Sequence, residues 1–196
     1  MDMARLELPA ERQVFSGRLG EVVHQTQPDG RVFELFRRPP GVRMIFIDGD
    51  RVLLTEEYRS EVNGIDLRLP GGKVFDDLET FTQARRSSAD LTDAALRAAR
   101  REAHEEVGLT VSGVELVTIA RAGATVEWDL YYYVVREFTE ASDGPQPEEG
   151  EQITTRWFHA AEVLDAVRAG RMSEWRSVGV LLGLVMPREF PYLFAA

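Results

Sequence analysis

Glu102, Glu105 and Glu106 fall at i, i+3 and i+4 of a predicted helix, so three carboxylates project from one side within a single turn. Like charges so close repel, and a face that needed only solubility would intersperse lysine there. A hard divalent cation relieves that repulsion, because it takes oxygen ligands and bridges carboxylates to phosphates. The chemistry indicated is metal-assisted work on a phosphate-bearing substrate. A second acidic group, Glu148, Glu149 and Glu151, lies in a loop at 139–152 that carries two prolines and four glutamates. Pro70-Gly71-Gly72 adds two glycines where backbone can turn sharply or approach a ligand.

The elements that must position these groups are strands and helices mixed without regular alternation, which predicts an α+β class with a mixed sheet between helices. Asp90 or Thr92 caps the carboxylate-bearing helix. Ala95, Ala99, Ala103 and Val107, joined by Leu96, form its apolar stripe, and Gly108 sits where a left-handed cap ends it. The glutamates flank that stripe, which sets them at the edge of the core, where carboxylates are costly unless paired or metal-bound. Upstream, runs at 17–25 and 31–37 around Gln27-Pro28-Asp29-Gly30 predict an N-terminal β-hairpin. Pro39-Pro40-Gly41 divides the chain into 1–40, the hairpin extension, and 41–196, the main domain. Strands follow at 42–47 and 51–55, then at 114–120, 128–136 and 153–159. Residues 76–91 are polar with few apolar anchors and read as an exposed insertion. A helix at 161–169 and a last one at 173–185, halted by Pro187, complete the chain. His104 reads as surface, His24 and His159 lack a visible partner, and Tyr131-Tyr132-Tyr133 with Trp157 read as sheet core.

The chain has 196 residues, enough for one domain with a real core, and a formal net charge of −10. No basic stripe is available to displace counterions, which argues against nucleic-acid binding. No apolar run approaches the roughly 20 residues of a membrane span, so no membrane partner is expected. Cysteine is absent and the N-terminus lacks a basic start followed by an apolar run. Both point to a cytoplasmic protein.

Gly72 followed by Arg101-Glu102-Ala103-x-Glu105-Glu106-x-Gly108-Leu109 resembles the Nudix box, G-x5-E-x7-R-E-U-x-E-E-x-G-U with U aliphatic. The second half matches almost letter for letter. In the first half Asp93 fills the slot of the first glutamate, which counted from Gly72 belongs at position 78, an excess of 15 residues. Glu57-Tyr58-Arg59, Leu69-Pro70-Gly71-Gly72, Glu149-Gly150-Glu151 and Trp157-Phe158 extend the resemblance to the ADP-ribose and nucleotide-sugar pyrophosphatase branch of that superfamily. The branch commonly has Ser-Pro-Gly where this chain has Arg121-Ala122-Gly123, so the proline associated with ADP-ribose preference is missing.

That resemblance implies a Nudix fold and a homodimer formed through the N-terminal hairpin. It also implies metal-dependent splitting of a nucleoside diphosphate linked to a sugar into two monophosphates. It assigns Glu102, Glu105, Glu106, Glu151 and the carbonyl of Gly71 to Mg2+, or to Mn2+ in its place. Glu149 becomes the general base, with Glu105 beside it in the catalytic set, Arg59 touches the diphosphate, and Arg101 forms a structural ion pair. A sensor that binds such a metabolite without cleaving it is the alternative. The intact glutamate set favours the enzyme, because a pure binder has no need of it.

Overall fold

The computed structural model describes residues 10–87, 89–146 and 152–195. At its centre, β4 (Gly41–Asp48) lies parallel to β9 (Leu130–Glu140). Around this pair the order is β10 (Ile153–His159), β5 (Arg51–Arg59), β4, β9 and β7 (Leu109–Ala120), and β6 (Gly64–Arg68) also pairs with β5. The other pairings are antiparallel, so the sheet is mixed.

Strand alternation splits the core in two. Val42, Met44 and Phe46 of β4, with Tyr131, Tyr133 and Val135 of β9, face α2 (Leu91–Val107). Ile45 and Ile47, with Leu130, Tyr132 and Val134, face α3 (Ala160–Arg168) and the C-terminal helices. This period of two explains how three consecutive tyrosines are all buried, on opposite faces of one strand. The mixed sheet between helices expected of the α+β class is therefore present. Small residues let α2 approach closely, since Ala95, Ala98, Ala99 and Ala103 are all buried against the sheet.

The N-terminal part is larger than a hairpin. Strands β2 (Glu21–Thr26) and β3 (Val32–Arg37) flank the expected turn, where Gly30 has φ +85°. Strand β1 (Ala10–Ser16) adds to β2, and β8 (Val126–Glu127) pairs parallel to β3. β1 carries no burial alternation, all seven residues being exposed, so its sequence gives no period-two signal. β8 ties this sheet to the main domain.

Two expectations are corrected. Residues 76–91 contain α1 (Leu78–Arg86), capped by the Asp77 carboxylate, which accepts from the Thr80 N–H at 2.8 Å. Leu78 and Phe81, three residues apart, are both buried, and Phe81 packs on Phe75 at 5.6 Å between ring centres. Two well-spaced anchors suffice for a short helix even when the rest of the segment is polar. Nor does Pro187 end the last helix. The chain runs through α4 (Trp175–Val180), a π-helical turn at Leu181–Val185 and α5 (Met186–Glu189). The wider turn shifts the hydrogen-bond register, so Pro187 falls in the first turn of the next segment, where its missing N–H is not needed.

Candidate active site

The last turns of α2 and the loop after β6 form one wall of a cleft of about 210 Å³. Asp90 is the N-cap, its carboxylate accepting from Thr92 N–H at 2.8 Å, and Gly108 ends the helix at φ +68°. Between these ends Glu102, Glu105 and Glu106 line the cleft, as the i, i+3, i+4 spacing requires. Gly71 and Gly72 line it too, each for a separate reason. Gly71 has φ +148°, and a Cβ there would lie 2.2 Å from the Val42 carbonyl oxygen. A Cβ on Gly72 would lie 2.4 Å from the Glu102 carboxylate. The loop is held to β4 by Val42 N–H donating to Gly72 O at 2.9 Å and Met44 N–H donating to Pro70 O at 2.8 Å.

Two groups hold the acidic side chains in place. The Arg101 guanidinium donates to the Lys73 carbonyl at 2.9 Å and to Glu102 at 2.7 Å, and it stands 3.3 Å from Glu105. It therefore fastens the helix turn to the glycine loop. Glu106 accepts from the Gly71 N–H at 2.8 Å. Burial pushes the Glu106 carboxyl up to about 8, against the pull of that N–H, and the charges of Glu102 and Glu57 add to the rise while Arg43 opposes it. Glu106 is thus a carboxylate short of positive charge.

The opposite wall is cationic. Arg59, at the end of β5, pairs with Glu57 of the same strand, and among the described residues its buried Nε has no hydrogen-bond partner. Glu57 also accepts from the Thr55 hydroxyl at 2.8 Å. Arg43 of β4 pairs with Glu174 at 2.9 Å, and Ser177 donates to the same carboxylate at 2.8 Å. Burial works against the Glu174 charge, but Arg43 and Ser177 hold its carboxyl below the usual range. Arg38 lies 4.3 Å and Arg176 4.1 Å from the ring centre of Trp128, and Arg176 donates to the Trp128 carbonyl at 2.8 Å. Among the described residues Arg38 makes no ion pair, and its buried Nε has no hydrogen-bond partner.

Of the residues singled out in the sequence, Gly71, Glu102, Glu105, Glu106 and Arg59 all line this cleft. Glu149 and Glu151 lie outside the described residues. Asp93, in the slot of the first glutamate, is exposed in the first turn of α2 and does not line the cleft. His159 does have a partner, Asp50 at 2.9 Å, and His24 lies 3.6 Å from Glu34. Sequence reasoning missed Glu57, Arg38 and Arg43. Arg43 had a signal, a lone charge in the apolar run 42–47. Arg38 and Glu57 gained their meaning only from strand pairing.

The donor chemistry suits a hard cation: three carboxylates on one wall, one of them destabilised as an anion by burial and then by the charges of Glu102 and Glu57. Among the described residues no three acidic or histidine side chains already stand as a ligand cage. Arg101 draws Glu102 and Glu105 to itself, and the Gly71 N–H holds Glu106.

A carboxylate wall facing arginines across a cleft, carried on a mixed sheet between helices, defines a protein built to hold phosphates. A family model described as the NUDIX domain matches residues 37–176, and the chain belongs to the Nudix family as a Nudix-type hydrolase. No curated protein matches it. Among solved structures it is similar to an ADP compounds hydrolase, with a TM-score of 0.64 over 91% of this chain and 93% of that one. Identity between the two is 20%, a level at which the likeness establishes the fold.

Proposed function

We propose that the protein hydrolyses the pyrophosphate bond of a nucleoside diphosphate linked to a sugar, ADP-ribose or a related nucleotide sugar, giving two monophosphates, with Mg2+ or Mn2+ as cofactor. The observation that carries this reading is that Glu102, Glu105 and Glu106 line the same cleft as Arg38, Arg43 and Arg59. A divalent ion on the three glutamates would neutralise phosphate charge and acidify bound water. The chain's own groups do the rest. Arg38, which has no carboxylate partner among the described residues, and Arg59 hold diphosphate oxygens as fixed positive charges. Arg101 keeps the helix turn in register with the glycine loop. Glu149, from the acidic loop, takes the proton of the attacking water, and Glu151 of the same loop joins the metal side, as the family resemblance suggests.

The same reading makes the protein a cytoplasmic homodimer. Phe15, Val32 and Phe36 share one face of the N-terminal sheet and are exposed, an apolar surface that a second copy would cover. The test is a panel of ADP-ribose and nucleotide sugars incubated with and without Mg2+, with released monophosphates as the readout. Turnover that requires the ion and is confined to nucleoside diphosphate derivatives is expected. No turnover with any member, alongside a thermal shift with one, would instead support a metabolite sensor.

A further inference from the structure

A smaller lobe opens off the cleft on the side of α1. Arg38 and Pro40 border both spaces. Beyond them the lobe is walled by Phe81 and Arg85 of α1, Leu91 at the start of α2, Glu127 of β8, Asp129 just before β9 and Tyr131 within it. Its volume is about 60 Å³. That is roughly two waters' share of liquid volume, too little for a purine and enough for the hydroxyl-bearing edge of a sugar ring.

The two carboxylates at this end of the cleft differ. Glu127 is committed, accepting from Arg37 at 2.7 Å with Arg85 at 3.6 Å. Asp129 has no side-chain hydrogen bond or ion pair among the described residues, although it is partly buried. Burial raises its pKa and Arg121 draws it back only in part. An unpaired carboxylate beside apolar walls is the arrangement that recognises a sugar: ring C–H groups lie on the apolar side, and neighbouring hydroxyls donate to the two oxygens.

We propose that this lobe is a sugar subsite, in which the sugar beyond the distal phosphate passes Pro40 and donates its hydroxyls to Asp129, against a wall supplied by α1. The inserted segment thereby decides which diphosphate compounds the cleft prefers. Trp128, with two guanidiniums over its ring, is left to steady Arg38 at the junction rather than to stack on a base. This inference rests on the nucleotide-sugar reading above.

The experiment measures kcat/KM with Mg2+ for ADP-ribose and ADP-glucose, each divided by that for the methyl ester of ADP, which has no sugar on its distal phosphate. Asp129→Ala removes the acceptor, and Leu91→Trp fills the lobe by bulk without altering Asp129. Both variants are expected to lower the sugar-to-methyl ratio by about tenfold or more, the scale of a lost hydrogen-bonded hydroxyl. Asp129→Asn, which keeps one acceptor oxygen, falls between. A ratio unchanged within about twofold in both variants overturns the subsite while leaving the hydrolase reading intact. Wild-type protein inert on all three compounds overturns the ADP-sugar reading and the subsite with it, a result distinct from an unchanged ratio.

Discussion

The acidic wall of the cleft comes from one helical turn and one glycine loop, whereas the cationic wall is gathered from the end of β3, from β4 and from β5. The acidic wall concentrates like charge. Its three glutamates share one guanidinium and one backbone N–H, and Glu106 is left with its carboxyl pushed up to about 8. The cationic wall is mostly neutralised in place, since Arg43 has Glu174 and Arg59 has Glu57. The first side is therefore short of counter-charge at Glu106, and the other has supplied its own except at Arg38. A cation completes the first and a substrate anion completes the second.

The largest effect expected from breaking this contrast is at Glu106. Glu106→Gln keeps an acceptor for the Gly71 N–H but cannot bind a cation as a carboxylate does. Turnover should fall by about a thousandfold or more, roughly 4 kcal/mol of transition-state stabilisation, with the circular dichroism spectrum unchanged. Activity within about tenfold of wild type would remove the metal role from that wall.

The same contrast explains what could be read in advance. Arg101 to Leu109 is contiguous, so its spacing fixes helix, cap and carboxylate direction without knowledge of the rest of the chain. Gly108 and Asp90 stand at the helix ends as their types require. The tyrosine triplet was legible for the same reason, since strand alternation is local. The cationic wall was not. Arg38 and Glu57 are ordinary charged residues until β3 pairs with β8 and β5 pairs with β6, and no local spacing encodes that. The insertion was misjudged because a count of polar residues hides two apolar anchors at helical spacing, Leu78 and Phe81. Pro187 misled because a π-turn upstream reset its register.

The next effect in size is structural and belongs to the neutralised wall. Arg43→Met leaves Glu174 buried with Ser177 and the more distant Arg176, at 3.6 Å, as its remaining partners. Removing one member of a buried pair costs about 3–5 kcal/mol in general. Arg176 should hold the cost here near the lower figure, read from urea unfolding. The double variant Arg43→Met with Glu174→Leu should recover much of the loss, because no uncompensated charge remains. If the double variant is as unstable as the sum of the single changes, Arg43 acts through packing rather than through Glu174.

Within the cationic wall, Arg38 and Arg59 should separate. Arg59 already spends part of its charge on Glu57, while Arg38 has no carboxylate among the described residues. Arg38→Ala is expected to raise KM by about tenfold, in the range of one charge-assisted hydrogen bond, and Arg59→Ala by less. Equal increases, or a larger one for Arg59, would mean that the pre-existing ion pair opens freely for the substrate.

The smallest effect concerns stability without any metal. In the folded chain burial keeps the Glu106 carboxyl protonated up to about 8, against its ordinary 4.5. Between those pH values the folded form holds a proton that the unfolded form has lost, so stability falls as pH rises through the window and the full cost is present above it. Glu106→Gln is neutral throughout and escapes that cost. With chelator present, the variant should melt at about the same temperature as wild type near pH 4.5 and above it at pH 9, with the gap opening across that window. Adding Mg2+ should reverse the order by stabilising the wild type alone. A gap that does not widen with pH would place the Glu106 charge in contact with solvent or with a group that neutralises it, and the carboxylate wall would then have no unmet demand for a cation.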